Sequence, residues 1–572
     1  MCIQIQTKSD NNLKLDVISV DDGITDIEIK YSFDKAIIPK PLKIKWVTKS
    51  NGSYMMWNPI EVYEHEIKPN WNKAETRSCS TFGMPMQQYI SANGTNAVMV
   101  FVLDVQTPIK IRSGVSEETG NIEWELVLFS EPTEEITEYA TIVRIDERKR
   151  DYEIIIREST MHWQKDYPLN INTYAFEPVY STWYSYHQLL SPDLIIELRA
   201  AAKLGMKTVI IDDGWQTDDN GRGYAYCGAW KVARSKIPNM RAFVDQVHEI
   251  GMKVMLWYSV PFVGIYSEVW EMFCDKLLYN VNEEYGVLDP RYSQVREYMI
   301  SIYERDVKAW DLDGLKLDFI DSFALRDKSQ RSNSDMDILA LDKAVCKLLE
   351  DIYSRLMAIK SDILIEFRQN YVGPIMMTYG NMLRAADCPM DALTNRIRTV
   401  NLRLISGLTA VHSDMLMWNY EDSVEIAAEQ FINILFSVPQ VSMRIEKLPK
   451  EQYAMLQFYL KLWKDNRETI VKGEFHACHP ELNYTQVYVQ RNDSMVASAY
   501  GEKMLHIKEN INNAVLVNGT GTVGLYLETE GKQYHFTVYN CIGDIIEKGV
   551  TSSLLTRLDV PAAGVVTVKN DF

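Results

Sequence analysis

Between residues 174 and 470 eight short apolar runs recur, and segments with helical spacing separate most of them. The runs read VYSTWYS, TVIIDDGW, VMLWYSV, GLKLDFID, ILIEFRQN, MLRAADCP, TAVHSDML and QVSMRI. Continuously apolar strands are those buried on both faces, and strands alternating with helices form parallel sheets. The intervening segments carry helix punctuation. SPDLIIELRAAAKLG offers Ser191 as cap, Pro192 at the first helical position and Gly205 at the stop. DPRYSQVREYMISIYERDVKAW repeats the device with Asp289 and Pro290. Eight strands so arranged predict a parallel sheet closed into a (β/α)8 barrel.

The flanks read differently. From residue 13 to about 157, LKLDVISV, ITDIEIKYSF, LKIKWVTK, NAVMVFVLDV, IEWELVLFS and DYEIIIRE alternate apolar with polar between Gly, Asn, Pro and Asp breaks. That pattern predicts an antiparallel sandwich. The tail resembles it on a smaller scale, and GLYLETEGKQYHFTVYN predicts a hairpin with Gly531 in its turn. A chain of 572 residues exceeds what one core can hold. The expected plan is a β-supersandwich over 1–165, a barrel over 166–475 and a C-terminal antiparallel β-sandwich over 476–572.

Charge and composition narrow the partners. The net charge is −18 and no basic run is present, which argues against a nucleic-acid partner. No apolar stretch reaches the length of a bilayer span, so no membrane partner is expected. The opening MCIQIQTKSDNN lacks a secretory signature, so a cytoplasmic location is expected, or a secreted or periplasmic one if a leader was removed. Eight scattered cysteines without a CxxC pair read as free thiols. His476, Cys478 and His479 in HACHP have no second cluster to complete a metal site.

The chemistry is expected at the strand ends. In GLKLDFID, Lys316 and Asp318 share one face, opposite Leu315, Leu317 and Phe319. In a barrel that face is the packed interior, with Asp318 nearer the C-terminal mouth where barrel enzymes place their sites. Other strand ends supply Trp183 and Tyr184; Asp212, Asp213 and Trp215; Trp257 and Tyr258; Glu366, Arg368 and Gln369; Asp387; and His412 with Asp414. Carboxylates, a lysine and indoles suit a sugar, whose hydroxyls bond carboxylates and whose C–H face packs on indole. Two carboxylates from different strands suggest glycoside hydrolysis. The nucleophile must stay ionised, which points to Asp318 beside Lys316. Asp387, followed by Cys388, Pro389 and Asp391, is a candidate acid.

The ordered motifs IIDDGWQ, GMKVMLWYSVPF, GVLDPRYSQVREY, LKLDFID and RAADCPMDALTNR resemble the α-galactosidases of glycoside hydrolase family 36, retaining α-glycosidases of clan D. The resemblance implies a retaining double displacement on small α-galactosides, with Asp318 as nucleophile and Asp387 as acid/base. It further implies that Asp212 and Asp213 hold the C4 and C6 hydroxyls, that Lys316 contacts the sugar, and that Trp257 and Trp183 wall the pocket. Trp215, Arg384 and Cys388 complete the expected substrate-binding set. No metal and no organic cofactor are implied, and homo-oligomers are common among relatives.

Three departures stand out. Arg384 precedes Asp387 by three residues where the family often has four, which in a regular strand would reverse its side. GAW, with Ala229, replaces Gly-Asp-Trp. EFRQN replaces a Cys/Gly-rich motif and bears on the C2 substituent. α-N-Acetylgalactosaminidase and galactosyl transferase are the alternatives on this scaffold. Outside it stand a metallohydrolase using Asp212, Asp213, His412 and Asp414, and a non-catalytic sugar-binding protein.

Overall fold

The computed structural model describes residues 3–6, 13–326 and 334–570. Two compact units interleave along the chain. One comprises Met1–Asn170, Gln216–Ala233 and Trp257–Leu383, the other Ile171–Trp215, Arg234–Leu256 and Arg384–Phe572.

All eight apolar runs become strands of one sheet: β1 (Val179–Ser181), β2 (Thr208–Ile211), β3 (Lys253–Ser259), β4 (Gly314–Asp318), β5 (Leu364–Arg368), β6 (Met382–Arg384), β7 (Ala410–His412) and β8 (Gln440–Val441). Their order in the sheet is β7, β6, β5, β4, β3, β2, β1, β8, which is chain order with the last strand set beside the first. The registered pairs are parallel. Parallel bridges His412–Val438 and Leu416–Val441 join the two ends, so the sheet forms a near-closed (β/α)8 barrel. Burial explains the apolar runs, since every residue of β2 and of β4 is buried. Alternation is visible in β3. Tyr258 donates its hydroxyl to Asp306 on the helix Ser293–Trp310, 2.9 Å away, whereas Trp257 donates to Asp318 of β4. Tyr258 therefore faces the helices and is not a site residue, because its neighbour on the strand takes the inner face.

Within the first unit the N-terminal region forms two antiparallel sheets of five and six strands. Between them lies a core that includes Ile29, Ile44, Val100, Ile111 and Leu126. Trp46 and Trp124 are direct cross-strand partners with rings stacked 6.1 Å apart, the kind of pair that fixes register. DYEIIIRE, expected as a strand, is instead the start of helix α1 (Tyr152–Gln164). The helix buries Tyr152, Ile155, Ile156, Ser159, Thr160 and Trp163, a helical spacing whose later members lie beyond the run that looked strand-like.

Helix starts also depart from expectation. α2 (Leu194–Lys203) begins at the Asp193 cap, with Ser191 contributing only its carbonyl to Leu194 N–H. Gly205 stops it as expected, with φ +96°. α3 (Ser293–Trp310) begins after Tyr292. Asp289 is drawn into a buried pair with Arg291 at 2.7 Å and does not cap. A further barrel helix, α4 (Leu341–Ile359), follows β4.

Within the second unit the C-terminal region has a seven-stranded and a three-stranded sheet. The expected hairpin is not one. β9 (Leu525–Thr529) pairs with Met504–Ile507 and Leu555–Leu558, while β10 (Tyr534–Tyr539) pairs with Ile545–Thr551 and Val565–Lys569. Leu525 and Leu527 share one core with Tyr534, Phe536 and Val538. The residues around Gly531 thus carry the chain from one layer to the other. Apolar alternation is the same for strands that meet face to face and for strands that meet edge to edge.

Candidate active site

In the first unit the site is built around Asp318, the last residue of β4 and 6% exposed. Its Oδ1 accepts from Arg368 Nε at 2.6 Å, from Tyr371 hydroxyl at 2.9 Å and from the Phe319 backbone N–H at 2.8 Å. Its Oδ2 accepts from Trp257 Nε1 at 3.0 Å. Phe319 adopts a left-handed conformation with φ +64°, uncommon for a bulky residue, as the chain turns out of the strand. Arg368 ends β5, so the end of the neighbouring strand supplies the cation. Its Nη2 lies 3.7 Å from Asp321, whose carboxyl is pushed up by burial while Arg368 opposes the shift and Asp318 adds to it. The Tyr371 hydroxyl is pushed well above its ordinary value by burial and by the Asp318 charge, so it stays a donor. Lys316 is 4% exposed and stands opposite Glu366 in the β4–β5 register.

Trp257 is fixed by aromatic neighbours: Tyr224 stacked at 6.4 Å, Trp230 edge-on at 5.8 Å and Phe319 edge-on at 6.4 Å. Trp230 belongs to the GAW stretch, so that segment keeps a role in holding the indole beside Asp318 although Ala229 replaces an acid.

In the second unit a different network surrounds Asp387. Arg384 closes β6, and its Nη1 donates to Asp387 Oδ1 at 2.9 Å and to Asp414 Oδ1 at 2.7 Å. The three-residue spacing therefore does not turn Arg384 away. The strand ends at Arg384, so strand parity does not apply to the residues that follow. Asp414 is fully buried and accepts from Tyr184 hydroxyl at 3.0 Å and from Cys388 N–H at 2.6 Å. Burial pushes its carboxyl up to about 6; Arg384 opposes that shift and Asp387 adds to it. The Asp387 side chain is 52% exposed, and Arg384 meets it at Oδ1. Cys388 is buried, its thiol pushed up by burial, and its contact with the network runs through its backbone N–H.

The DDGW loop follows β2. Asp212 and Asp213 are nearly inaccessible. Gln188 donates to Asp213 Oδ2 at 2.8 Å, and Thr182 hydroxyl accepts from Asp212 N–H. Trp215 is fully buried, as a core residue would be, while Trp183 is half-buried with His187 edge-on at 5.1 Å.

His412 is no ligand. Its Nε2 meets the Ala175 carbonyl at 2.7 Å and its Nδ1 the Gln440 amide at 3.3 Å, and burial lowers it to about 3. Among the described residues no group of three or more His, Cys, Asp or Glu could hold a metal ion. His476 of HACHP stacks on Tyr488. Sequence reasoning missed Tyr371, Gln188 and the bracing role of Asp414. Their partners come from distant positions, which no local spacing announces.

A (β/α)8 barrel flanked by β domains is the fold of the glycoside hydrolase family 36 structures that the chain resembles. More particularly, residues 150–366 match the Melibiase family model, and the relatives and structures it resembles are α-galactosidases, several of glycoside hydrolase family 36. Alpha-galactosidase Mel36A of Lactobacillus acidophilus is 30% identical over 179 residues, 29% of this chain and 23% of that protein. AgaA of Geobacillus stearothermophilus is 30% identical over 172 residues, 27% of this chain and 23% of that protein. The matched stretches thus span under a quarter of those relatives' length. In structure, AgaA superposes with a TM-score of 0.64 at 14% identity, over 96% of this chain and 79% of that one. The α-galactosidase of Lactobacillus brevis does so with a TM-score of 0.66 at 13% identity, over 100% of this chain and 85% of that one.

Proposed function

We propose that the chain is a retaining exo-α-galactosidase that removes terminal α-linked galactose from small galactosides by double displacement. The observation that carries this reading is the carboxylate of Asp318. It is buried at a strand end, charge-paired and held by three side-chain donors, as a nucleophile that must stay ionised requires. Asp387, braced by Arg384 yet open to water, has the setting of an acid/base that must exchange protons each turnover. Retaining glycosidases in general work with two carboxyl groups about 5–5.5 Å apart.

Asp318 attacks the anomeric carbon while Asp387 protonates the departing oxygen. Asp387 then takes a proton from the water that releases galactose. Asp212 and Asp213 would take hydroxyls of the sugar, with Lys316 beside them and Trp257 and Trp183 as walls. An AgaA variant has been crystallised with raffinose, which favours small oligosaccharides as the substrate class. The bond between Arg384 and Asp387 weakens the case for a non-catalytic sugar binder, which the shifted arginine had motivated.

The test is release of p-nitrophenol from p-nitrophenyl α-galactoside and from its N-acetylated counterpart. Turnover of the first is expected, and Asp318→Ala should reduce it by about 10⁴-fold or more. Release from neither substrate overturns the reading. Preferential release from the N-acetylated compound would move the substrate class to N-acetylgalactosaminides.

A further inference from the structure

Asp414 lies just past β7, and a fully buried carboxylate there must be met by donors. Its backbone is pinned from one side. Asn395 Oδ1 accepts the Asp414 N–H at 3.0 Å, and Asn395 Nδ2 donates to the Asp414 carbonyl at 3.1 Å. The carboxylate then meets Arg384 Nη1 at Oδ1, and Tyr184 hydroxyl and Cys388 N–H at Oδ2. The same Nη1 donates to Asp387 Oδ1 at 2.9 Å. One cation thus serves two acids, the first fully buried and the second half-exposed.

A guanidinium paired with Asp387 alone would favour its ionised form and strip it of the proton that a general acid must carry. A second carboxylate on that guanidinium works in the opposite direction, because its charge offsets the cation and repels the charge on its neighbour. We infer that Asp414 is a positioning residue that anchors Arg384 beside Asp387 and offsets its charge, so that Asp387 keeps the proton affinity of an acid/base. The inference rests on the reading of Asp387 given above and deepens it. Burial raises the Asp414 carboxyl, Arg384 opposes the rise and Asp387 adds to it, so the two acids feel each other. The Tyr184 hydroxyl is raised by burial and then by Asp414 and Asp387, which keeps it a donor to Asp414.

Other charged and titratable groups of this unit bear on the pair. Arg398, on the helix Ala392–Ile405, donates to the carbonyls of Ala386 and Asp387 at 2.8 and 2.9 Å. Asp391 caps that helix through the Thr394 N–H. The Cys388 thiol is pushed up by burial, and His412 on β7 is kept neutral by it. Arg384 touches both carboxylates, so the coupling runs through its guanidinium.

The experiment reads Asp387 twice, once through turnover and once directly. The basic limb of kcat/KM on raffinose reports the acid that must be protonated. Asp414→Asn should move that limb down by about one pH unit and leave the acid limb in place. Arg384→Gln should move it up by about one unit or more, and the double variant should fall between the two. The ¹³C carboxyl resonance of Asp387, assigned by its loss in Asp387→Asn, should shift its midpoint by the same amounts. A uniform loss of rate in Asp414→Asn, with limb and midpoint unchanged, is what packing alone would give and overturns the inference, as does an upward shift. If Asp414→Asn fails to fold by thermal unfolding, Tyr184→Phe stands in. Asp414 then loses a donor and ionises less readily, so a smaller downward shift is expected, and no shift overturns the inference. A midpoint that falls while the rate limb stays put would remove Asp387 from the acid/base role and leave its coupling to Asp414 standing. A wild-type protein inactive on every galactoside would sink the galactosidase reading, and the carboxyl titration would still decide the coupling.

Discussion

Burial keeps the His412 ring neutral, and its two nitrogens reveal how. Nε2–H donates to the Ala175 carbonyl while Nδ1 accepts from the Gln440 amide, so a second proton has no acceptor to meet. The folded value is lowered to about 3 from an ordinary 6.5. A depressed value in the folded state means that the contribution is complete above pH 6.5 and is lost as pH falls toward 3. The full swing is about 5 kcal/mol. His412→Gln, which keeps an amide for Ala175, should therefore flatten the fall in urea midpoint between pH 6.5 and 4 relative to wild type. Asp318 is legible in the sequence alone, because a buried lysine and carboxylate two apart on a barrel strand need a use or a partner. Its partners are not. Tyr371 lies 53 positions away, and only the approach of β5 to β4 brings the two together.

At the level of elements, tight approaches decide what the sequence can vary. Gly214 has φ +109°, and a Cβ there would sit 2.5 Å from Gln188 Cα, beside the side chain that donates to Asp213. Gly214→Ala should cost at least about 2 kcal/mol and weaken sugar binding, measured by urea unfolding and by calorimetry with galactose. Helix α4 has no side-chain cap of its own. Glu134 Oε1 instead accepts the N–H groups of Leu339 and Ala340 just ahead of it, at 2.8 and 2.7 Å. Glu134→Ala should lower stability by about 1 kcal/mol, read as a shift in urea midpoint. The eight barrel strands were readable because each is buried on both faces and so appears as an unbroken apolar run. DYEIIIRE failed because three consecutive isoleucines satisfy a strand and a helix alike, and Trp163, which settles the matter, lies outside that run. GLYLETEGKQYHFTVYN failed because alternation records which side chains face a core, not which strand supplies the neighbouring hydrogen bonds.

For the molecule as a whole, 78 acidic against 60 basic residues are distributed without gathering three metal-binding side chains anywhere among the described residues. If the proposed pair Asp318 and Asp387 carries the reaction unaided, hydrolysis of p-nitrophenyl α-galactoside is undiminished after exhaustive dialysis against EDTA, and loss of activity restored by a divalent cation would contradict that proposal. No described helix is long and apolar enough to cross a membrane. The general plan was written plainly in the chain, since a run of alternating strands, then strands among helices, then strands again admits few architectures. How Arg384 serves two acids at once was hidden, since it depends on β7 delivering Asp414 behind it. The barrel also carries a mechanical weak point. Its final stave is two residues long and is tied on one side by single rungs, so the hoop is only as strong there as a cask missing a nail. Heat should part that joint before the interior loosens, and a longer eighth stave would be the most direct way to toughen the whole.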